Sequence, residues 1–247
     1  MDLLLGAKGR LGSQLATLLP EAVAIDRESL DVTDAPAVLA AVAKYKPANV
    51  INCTGFTGVD ACEKQPKACW DVNVRGVENL AAACKKHGAR LVHFSSDFTV
   101  DPVNEYARSK LASEKAALPD ALVIRTNFYT KDTFIVRKLL ATKDVVPAFC
   151  DVTYNPISIY SLAEEAVKLM RTEKKGIVNV ATKRPVTPFE FAQLICDEFG
   201  IKKSRVARAS VKSMAVPRPK NSFIEPCNSL FIEDDIRRFH EQGLVSK

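Results

Sequence analysis

The chain has 247 residues, 47% hydrophobic and 26% charged, enough for one large domain or a domain with an added lobe, and no apolar run approaches a membrane span. The net charge of +6 comes without a long basic run and with only 7% aromatics, which lacks the signature of a nucleic-acid surface and suits a small anionic ligand. Seven cysteines without a C-x-x-C pair and three histidines argue against a disulfide framework or a metal site; reduced, buried thiols and a cytoplasmic location are expected, Leu3 to Leu5 being too short for a signal-peptide core.

The run Leu3-Leu4-Leu5 breaks into a turn carrying Gly6, Gly9 and Gly12. A helical pattern follows, with Leu11, Leu15, Leu18 and Leu19 on one face. Strand, glycine turn and helix open a dinucleotide-binding βαβ unit. Gly6 can take angles that a side chain forbids, and the free N–H groups at the helix start attract phosphate. The spacing is G-x-x-G-x-x-G, not G-x-G-x-x-G, so context has to support it. Val23-Ala24-Ile25 reads as a second strand ending in Asp26, an acid about twenty residues past the glycines, placed to hold ribose hydroxyls. Lys8, Arg10 and Arg27 are candidates for an adenosine 2′-phosphate, although each taken singly is an ordinary surface charge.

Asp34 caps and Pro36 opens a helix through Leu39, Val42 and Tyr45, stopped at Pro47. Asn49 to Cys53 reads as a buried parallel strand, with Thr54-Gly55 at the carboxyl end, where open α/β sheets bind ligands. Val59 to Lys64 reads as a short helix. Pro66 begins a longer one, striped by Trp70, Val74, Val77, Leu80, Ala81 and Cys84 and ended by Gly88; Asn73 sits inside it against its propensity. Arg90 to Phe94 is the next strand, followed by Ser95-Ser96-Asp97, a helix over Glu105 to Leu118 and a strand over Ala121 to Ile124. This alternation predicts an α/β fold with a doubly wound parallel sheet.

Beyond Thr126 the pattern loosens. Thr133 to Ala141 reads as a helix, Asp144 to Phe149 contains a strand, and Asn155-Pro156 marks a turn. Ser158 caps a helix through Met170, and Ile177 to Ala181 is a strand. Thr187 to Phe199 is an amphipathic helix ended by Gly200. The proline- and charge-rich tail holds a short helix near Ile232 to Phe239. These elements predict a dinucleotide-binding domain over 1–126, to which 151–182 is expected to return, and a smaller, mainly substrate-binding lobe over 127–247.

Tyr106 and Lys110 lie four apart on a predicted helix and share a face; an ammonium near a phenol favours the phenolate. Y-x-x-x-K is common by chance, but here it follows a strand ending in Ser96 in a chain that already reads as nucleotide-binding. With Gly6, Gly9, Gly12 and Asn73, these residues resemble the extended short-chain dehydrogenase/reductases. The run from Asp26 to Asp34, Asn52 through Asp60 with Glu63, Ser95-Ser96-Asp97 and Arg218-Pro219-Lys220-Asn221-Ser222 resemble the dTDP-4-dehydrorhamnose reductase branch, from Leu3 to about Leu230.

The resemblance implies that Ser96 hydrogen-bonds the substrate carbonyl, that Tyr106 donates the proton, and that Lys110 lowers the tyrosine pKa and holds the nicotinamide ribose. The cofactor is expected along Gly6, Lys8, Gly9, Arg10, Leu11, Gly12, Asp26, Arg27, Asp31, Val32, Cys53, Thr54, Gly55 and Asn73. The sugar-nucleotide is expected at Ser96, Asp97, Asn127, Phe128, Arg218 and Asn221. The reaction implied is hydride transfer from NADPH, with NADH as the alternative, to C4 of a nucleotide-bound 4-keto-6-deoxy sugar.

Three features depart from the family pattern: Leu5 stands where threonine is frequent, Ala107 where glycine is, and the Ser96–Tyr106 connection is trimmed. An epimerase or dehydratase on the same scaffold and a non-catalytic NADP-binding regulatory subunit are the competing readings. Ser96-Asp97 offers one acid with no adjacent glutamate, against a dehydratase, and intact Ser96, Tyr106 and Lys110 speak against the regulatory role. The partners expected are the sugar-nucleotide and a second copy in a homodimer, with no nucleic acid and no membrane.

Overall fold

Leu3, Leu4 and Leu5 alternate across the first strand, so Leu3 and Leu5 pack on one face of the sheet and Leu4 on the other. All three are essentially inaccessible, as a strand covered on both faces requires. The computed structural model describes residues 1–245. In chain order the first elements are β1 (Asp2–Leu5), α1 (Arg10–Leu18), β2 (Val23–Ile25), α2 (Ala35–Tyr45), β3 (Asn49–Asn52), α3 (Val59–Lys64), α4 (Pro66–Trp70), α5 (Gly76–His87), β4 (Arg90–Ser96), α6 (Glu105–Ala117) and β5 (Leu122–Thr126). Then come β6 (Phe128–Tyr129), α7 (Phe134–Ala141), β7 (Val146–Phe149), β8 (Ile157–Ser158), α8 (Ile159–Met170), β9 (Gly176–Asn179), α9 (Pro188–Glu198), β10 (Val206–Ala209) and α10 (Ile232–Val245).

Six parallel strands form the main sheet in the order β2-β1-β3-β4-β5-β9, a doubly wound, Rossmann-type arrangement. Leu11 and Leu15 of α1 join Leu162, Ala163 and Ala166 of α8 over one face. Val38 and Val42 of α2, Val77 and Leu80 of α5 and Ala117 of α6 cover the other. The chain leaves β1 for β2 on one side and then crosses to β3 on the other. The carboxyl ends of β1 and β3 therefore flank the crevice in which such sheets bind ligands.

A separate core lies outside this sheet, built by Tyr129, Val136, Leu139, Phe191, Ile195, Ile232, Ile236 and Phe239. Asp235 is inaccessible at its edge. It accepts hydrogen bonds from the Tyr129 hydroxyl at 2.8 Å and from the Ser158 N–H and hydroxyl at 2.6 and 2.8 Å, so α10 is tied to the start of α8.

Two helices differ from the sequence expectation. The stripe from Pro66 to Gly88 is interrupted by a π-helical turn over Asp71–Arg75, centred on Asn73. The Asn73 side chain bonds Phe56 and Ser109 outside this stretch as well as Cys69 within it, and such widened turns are frequent at functional sites. The final helix extends to Val245 instead of ending near Phe239, with three acids in its first turn favouring the helix dipole. The β10 strand, unmarked in the sequence reading, is defined by its parallel register with β7.

Candidate active site

Gly6 has φ +76°, and a Cβ there would lie 3.0 Å from the Cys53 carbonyl; a Cβ on Gly12 would lie 2.1 Å from the Gly6 oxygen. The glycine turn is thus pressed between β3 and the start of α1, at the crevice between β1 and β3. Gly9 precedes α1 without a side-chain cap, leaving the first N–H groups of the helix available to an anion. A backbone cradle that no side chain could enter, below an uncapped helix start, fits a dinucleotide pyrophosphate.

Two cavities adjoin across this cradle and share Gly9, Cys53, Thr54 and Gly55. The first, about 280 Å³, is lined also by Gly6, Lys8, Asp26, Arg27, Asp31 and Val32. The second, about 410 Å³, is lined by Arg10, Leu11, Ser96, Asp97, Tyr106 and Lys110, with Asn127 and Phe128 at its far side. Gly12, Asn73, Arg218 and Asn221 line neither.

The first cavity is a site of exposed charge. The Lys8 ammonium sits 2.6 Å from Asp26 and 2.9 Å from Glu28, and this pairing draws the Asp26 carboxyl below its ordinary range. Lys8 is therefore shared between two carboxylates and is not a free phosphate ligand. Asp31 accepts from the Thr33 N–H and hydroxyl at 2.9 and 2.8 Å, which lower its pKa as well. Arg10 corrects the sequence reading: it turns away from this end and stands 5.7 Å from the Phe128 ring centroid, across the second cavity. Its position as the first residue of α1 sends it there.

The second cavity is built from buried groups. Asn104 caps α6 by accepting from the Ala107 N–H at 2.9 Å, and its amide donates to the Pro217 oxygen at 2.9 Å, which anchors the tail to the helix of Tyr106 and Lys110. Ser96 ends β4 and caps a 3-10 turn over Asp97–Val100, with the Phe98 N–H donating to its hydroxyl at 3.2 Å. In the connection between them, the Phe98 ring meets the Tyr106 ring edge-on at 6.0 Å.

Enclosure pushes the Tyr106 phenol up to about 12; a hydrogen bond with Ser96 opposes the rise and the Asp97 carboxylate adds to it. Burial pushes Lys110 down to about 8, with Glu114 opposing. The Lys110 ammonium donates to the Phe94 oxygen at 2.6 Å. The nearest bond of Lys110 thus goes to the strand, and burial holds the phenol above its ordinary value.

Asp97 is inaccessible and accepts from Ser222 at 2.6 Å, Asn127 at 2.8 Å and Ser96 at 3.0 Å. Burial raises it to about 6 against these three donors. Ser222 was missed as a site residue although it ends the late motif; a serine in a charged tail carries no periodicity, and only the fold brings it to Asp97. Asn127 sits in the site through this bond. Arg218 instead bonds Asp60 of α3 at 2.9 Å, and Asn221 accepts from Thr153 at 3.0 Å, so both fasten the tail and lie outside the two cavities. Asn73 is a buried strut: its oxygen accepts from the Phe56 N–H at 2.8 Å, and its amide donates to the Phe56 oxygen at 3.1 Å and Ser109 at 2.9 Å.

The profile of the RmlD substrate binding domain family matches residues 1–231. The chain belongs to this family. A dTDP-4-dehydrorhamnose reductase of Mycobacterium tuberculosis is 32% identical, over 88% of this chain and 82% of that protein. A dTDP-4-keto-6-deoxy-D-glucose reductase of Streptomyces niveus is 31% identical, over 83% of this chain and 80% of that protein. The crystal structure of the dTDP-4-dehydrorhamnose reductase of Bacillus anthracis in complex with NADP superposes with a TM-score of 0.89 at 25% identity, covering 98% of each chain. The chain is an NAD(P)-dependent oxidoreductase of the short-chain dehydrogenase/reductase type. Among the described residues no helix is long and apolar enough to cross a membrane.

Proposed function

We propose that this protein reduces the C4 ketone of a nucleotide-activated 4-keto-6-deoxy sugar with NADPH. The observation that carries the reading is that Ser96, Tyr106 and Lys110 line one cavity continuous with the glycine cradle. The cofactor assignment is supported by that cradle and by the NADP in the Bacillus anthracis structure. The adenosine end lies in the first cavity, where Lys8 is paired to Asp26 and Glu28 while Arg27 forms no ion pair among the described residues, and Arg27 is the residue proposed to meet the 2′-phosphate. The segments of 127–247 that leave the main sheet form the substrate lobe, with Asn127 and Phe128 at its threshold.

When bound, the nicotinamide supplies the hydride. The protein supplies the rest. Reduction builds negative charge on the ketone oxygen, and a hydrogen bond from Ser96 to that oxygen stabilises it. Tyr106 delivers the proton. A phenol near 12 stays protonated at working pH and is ready to donate. Resetting it requires a positive neighbour, a role for Lys110, whose ammonium remains mostly charged at neutral pH with a pKa of about 8. Asp97 holds Asn127 and Ser222 in place around the ketone end of the cavity.

The two curated relatives carry different substrate names, so the sugar is tested as a class. The purified protein is incubated with NADPH and a panel of dTDP- and other nucleotide-linked 4-keto-6-deoxy sugars, and NADPH absorbance and product stereochemistry are followed. Stoichiometric oxidation with one C4 epimer formed is expected. NADPH that stays bound and unoxidised with every sugar would favour the cofactor-binding regulatory role.

A further inference from the structure

His93 lies beneath the catalytic helix, 1% exposed, and no step of the reaction uses it. Its surroundings determine which of its ring nitrogens carries the proton. The Asn52 oxygen accepts from the Thr54 N–H at 3.0 Å and the Thr54 hydroxyl at 2.6 Å, which fixes the amide orientation. The Asn52 Nδ2 therefore faces His93 Nδ1 at 3.2 Å. An amide nitrogen can only donate, so Nδ1 must accept, and the proton of the neutral ring sits on Nε2. Nε2 lies 3.0 Å from the Ser113 hydroxyl, which gives its own proton to the Lys110 carbonyl at 2.7 Å and so accepts from the ring. Burial and the Lys110 charge keep His93 neutral, far below its ordinary pKa.

Lys110 Nζ stands 3.4 Å from the same Nε2. With a proton on that nitrogen the contact joins two donors and is no hydrogen bond. We propose that Thr54, Asn52 and His93 are positioning residues for Lys110: they lock the imidazole as its Nε2–H tautomer, deny the ammonium an acceptor on that side, and leave it to Phe94 O and the cavity. Thr54 lines both cavities, so this relay begins at the groove itself. The other titratable groups acting on Lys110 are Glu114 on its own helix, held by Arg125 at 2.6 and 2.7 Å, and the thiols of Cys69 and Cys53.

The inference rests on Lys110 being part of the catalytic site, so its test begins with a measurement that needs no sugar-nucleotide. The chain has only three histidines. Nitrogen-15 NMR of ring-labelled protein, with His87→Gln and His240→Gln used to assign the signals by elimination, reads the tautomer directly. A neutral His93 with its proton on Nε2 from pH 6 to 9 is expected; a proton on Nδ1, or a doubly protonated ring at pH 7, overturns the proposal. Asn52→Asp keeps an acceptor for Thr54 and presents a second oxygen to Nδ1. The proton should move to Nδ1, freeing Nε2 to accept from Lys110. The alkaline limb of the single-turnover rate should then shift up by about one pH unit or more. A tautomer unchanged in Asn52→Asp, or one that moves while the alkaline limb stays in place, also overturns it. If no sugar is turned over, the pH at which NADPH affinity changes replaces the rate, which keeps failure here separate from failure of the substrate assignment.

Discussion

Lys8 and Lys110 mark the two ends of one groove. The Lys8 side chain is 70% exposed and shares its charge between Asp26 and Glu28, while Lys110 is 5% exposed and gives its closest bond to a backbone oxygen. At the Lys8 end the polar atoms are surface groups, screened by solvent and able to rearrange around a ligand. At the Lys110 end Ser96, Asp97 and Asn104 are buried and their partners are fixed by hydrogen bonds. Binding can be tuned at the first end by single charges. Chemistry at the second depends on a connected set in which each loss leaves a buried partner unsatisfied.

Substitutions at the two ends should therefore differ by orders of magnitude. Lys110→Met is expected to have the largest effect, lowering the chemical step by about 10²–10⁴ and weakening NADPH binding too, since it removes the charge and, with it, the ribose contact proposed for this side chain. Stopped-flow NADPH oxidation and fluorescence titration measure the two losses; an effect confined to binding would remove Lys110 from the chemistry.

Next in size is Asp97, which also predicts a pH dependence. Its pKa is about 6 in the folded chain and near 3.8 when unfolded. Between those values the folded state binds more protons, so this carboxylate lowers stability as pH rises from about 4 to about 6, with little further change above. The difference of about two units corresponds to roughly 3 kcal/mol. Asp97→Asn removes this titration, so in urea unfolding the variant should gain on the parent across that window. A constant gap between the two at pH 4 and pH 7 would show that Asp97 does not titrate there.

The fold was largely legible because burial leaves periodic marks. Leu3 to Leu5, the Asp34 cap and the stripe on the helix after Pro66 each imprint the sheet and its coverings on the sequence. The site was legible only in part. The glycines, and Tyr106 with Lys110, stand at motif spacings and Ser96 ends a legible strand, whereas Ser222 reaches Asp97 from 125 residues away and nothing local marks it. Arg218 reads as a sugar-nucleotide residue and Arg10 as a phosphate candidate, and only packing sends one to Asp60 and the other to Phe128. The π turn around Asn73 is invisible for the same reason: Phe56 and Ser109, the partners that draw its side chain out of the helix, are distant in the chain.

Two smaller effects sharpen the contrast at the exposed end. Arg27→Ala should weaken NADPH binding by about tenfold, the low end for a charged hydrogen bond because the residue is exposed, and leave NADH binding unchanged; equal losses for both cofactors would show that it does not read the phosphate. Lys8→Ala should be smallest of all, changing the ratio of NADPH to NADH affinity by less than about threefold with no change in melting temperature. A larger shift in that ratio would make Lys8 a true phosphate ligand despite its two carboxylates.

The claim that the buried end performs the reduction rests most directly on Tyr106. Tyr106→Phe removes one oxygen and leaves the ring against Phe98. Single-turnover oxidation of NADPH by this variant, with a reducible 4-keto sugar-nucleotide and beside the parent, should be slower by about 10²–10⁴ at unchanged NADPH affinity. A variant that oxidises NADPH as fast as the parent would contradict the assignment and place the proton donor elsewhere in the cavity.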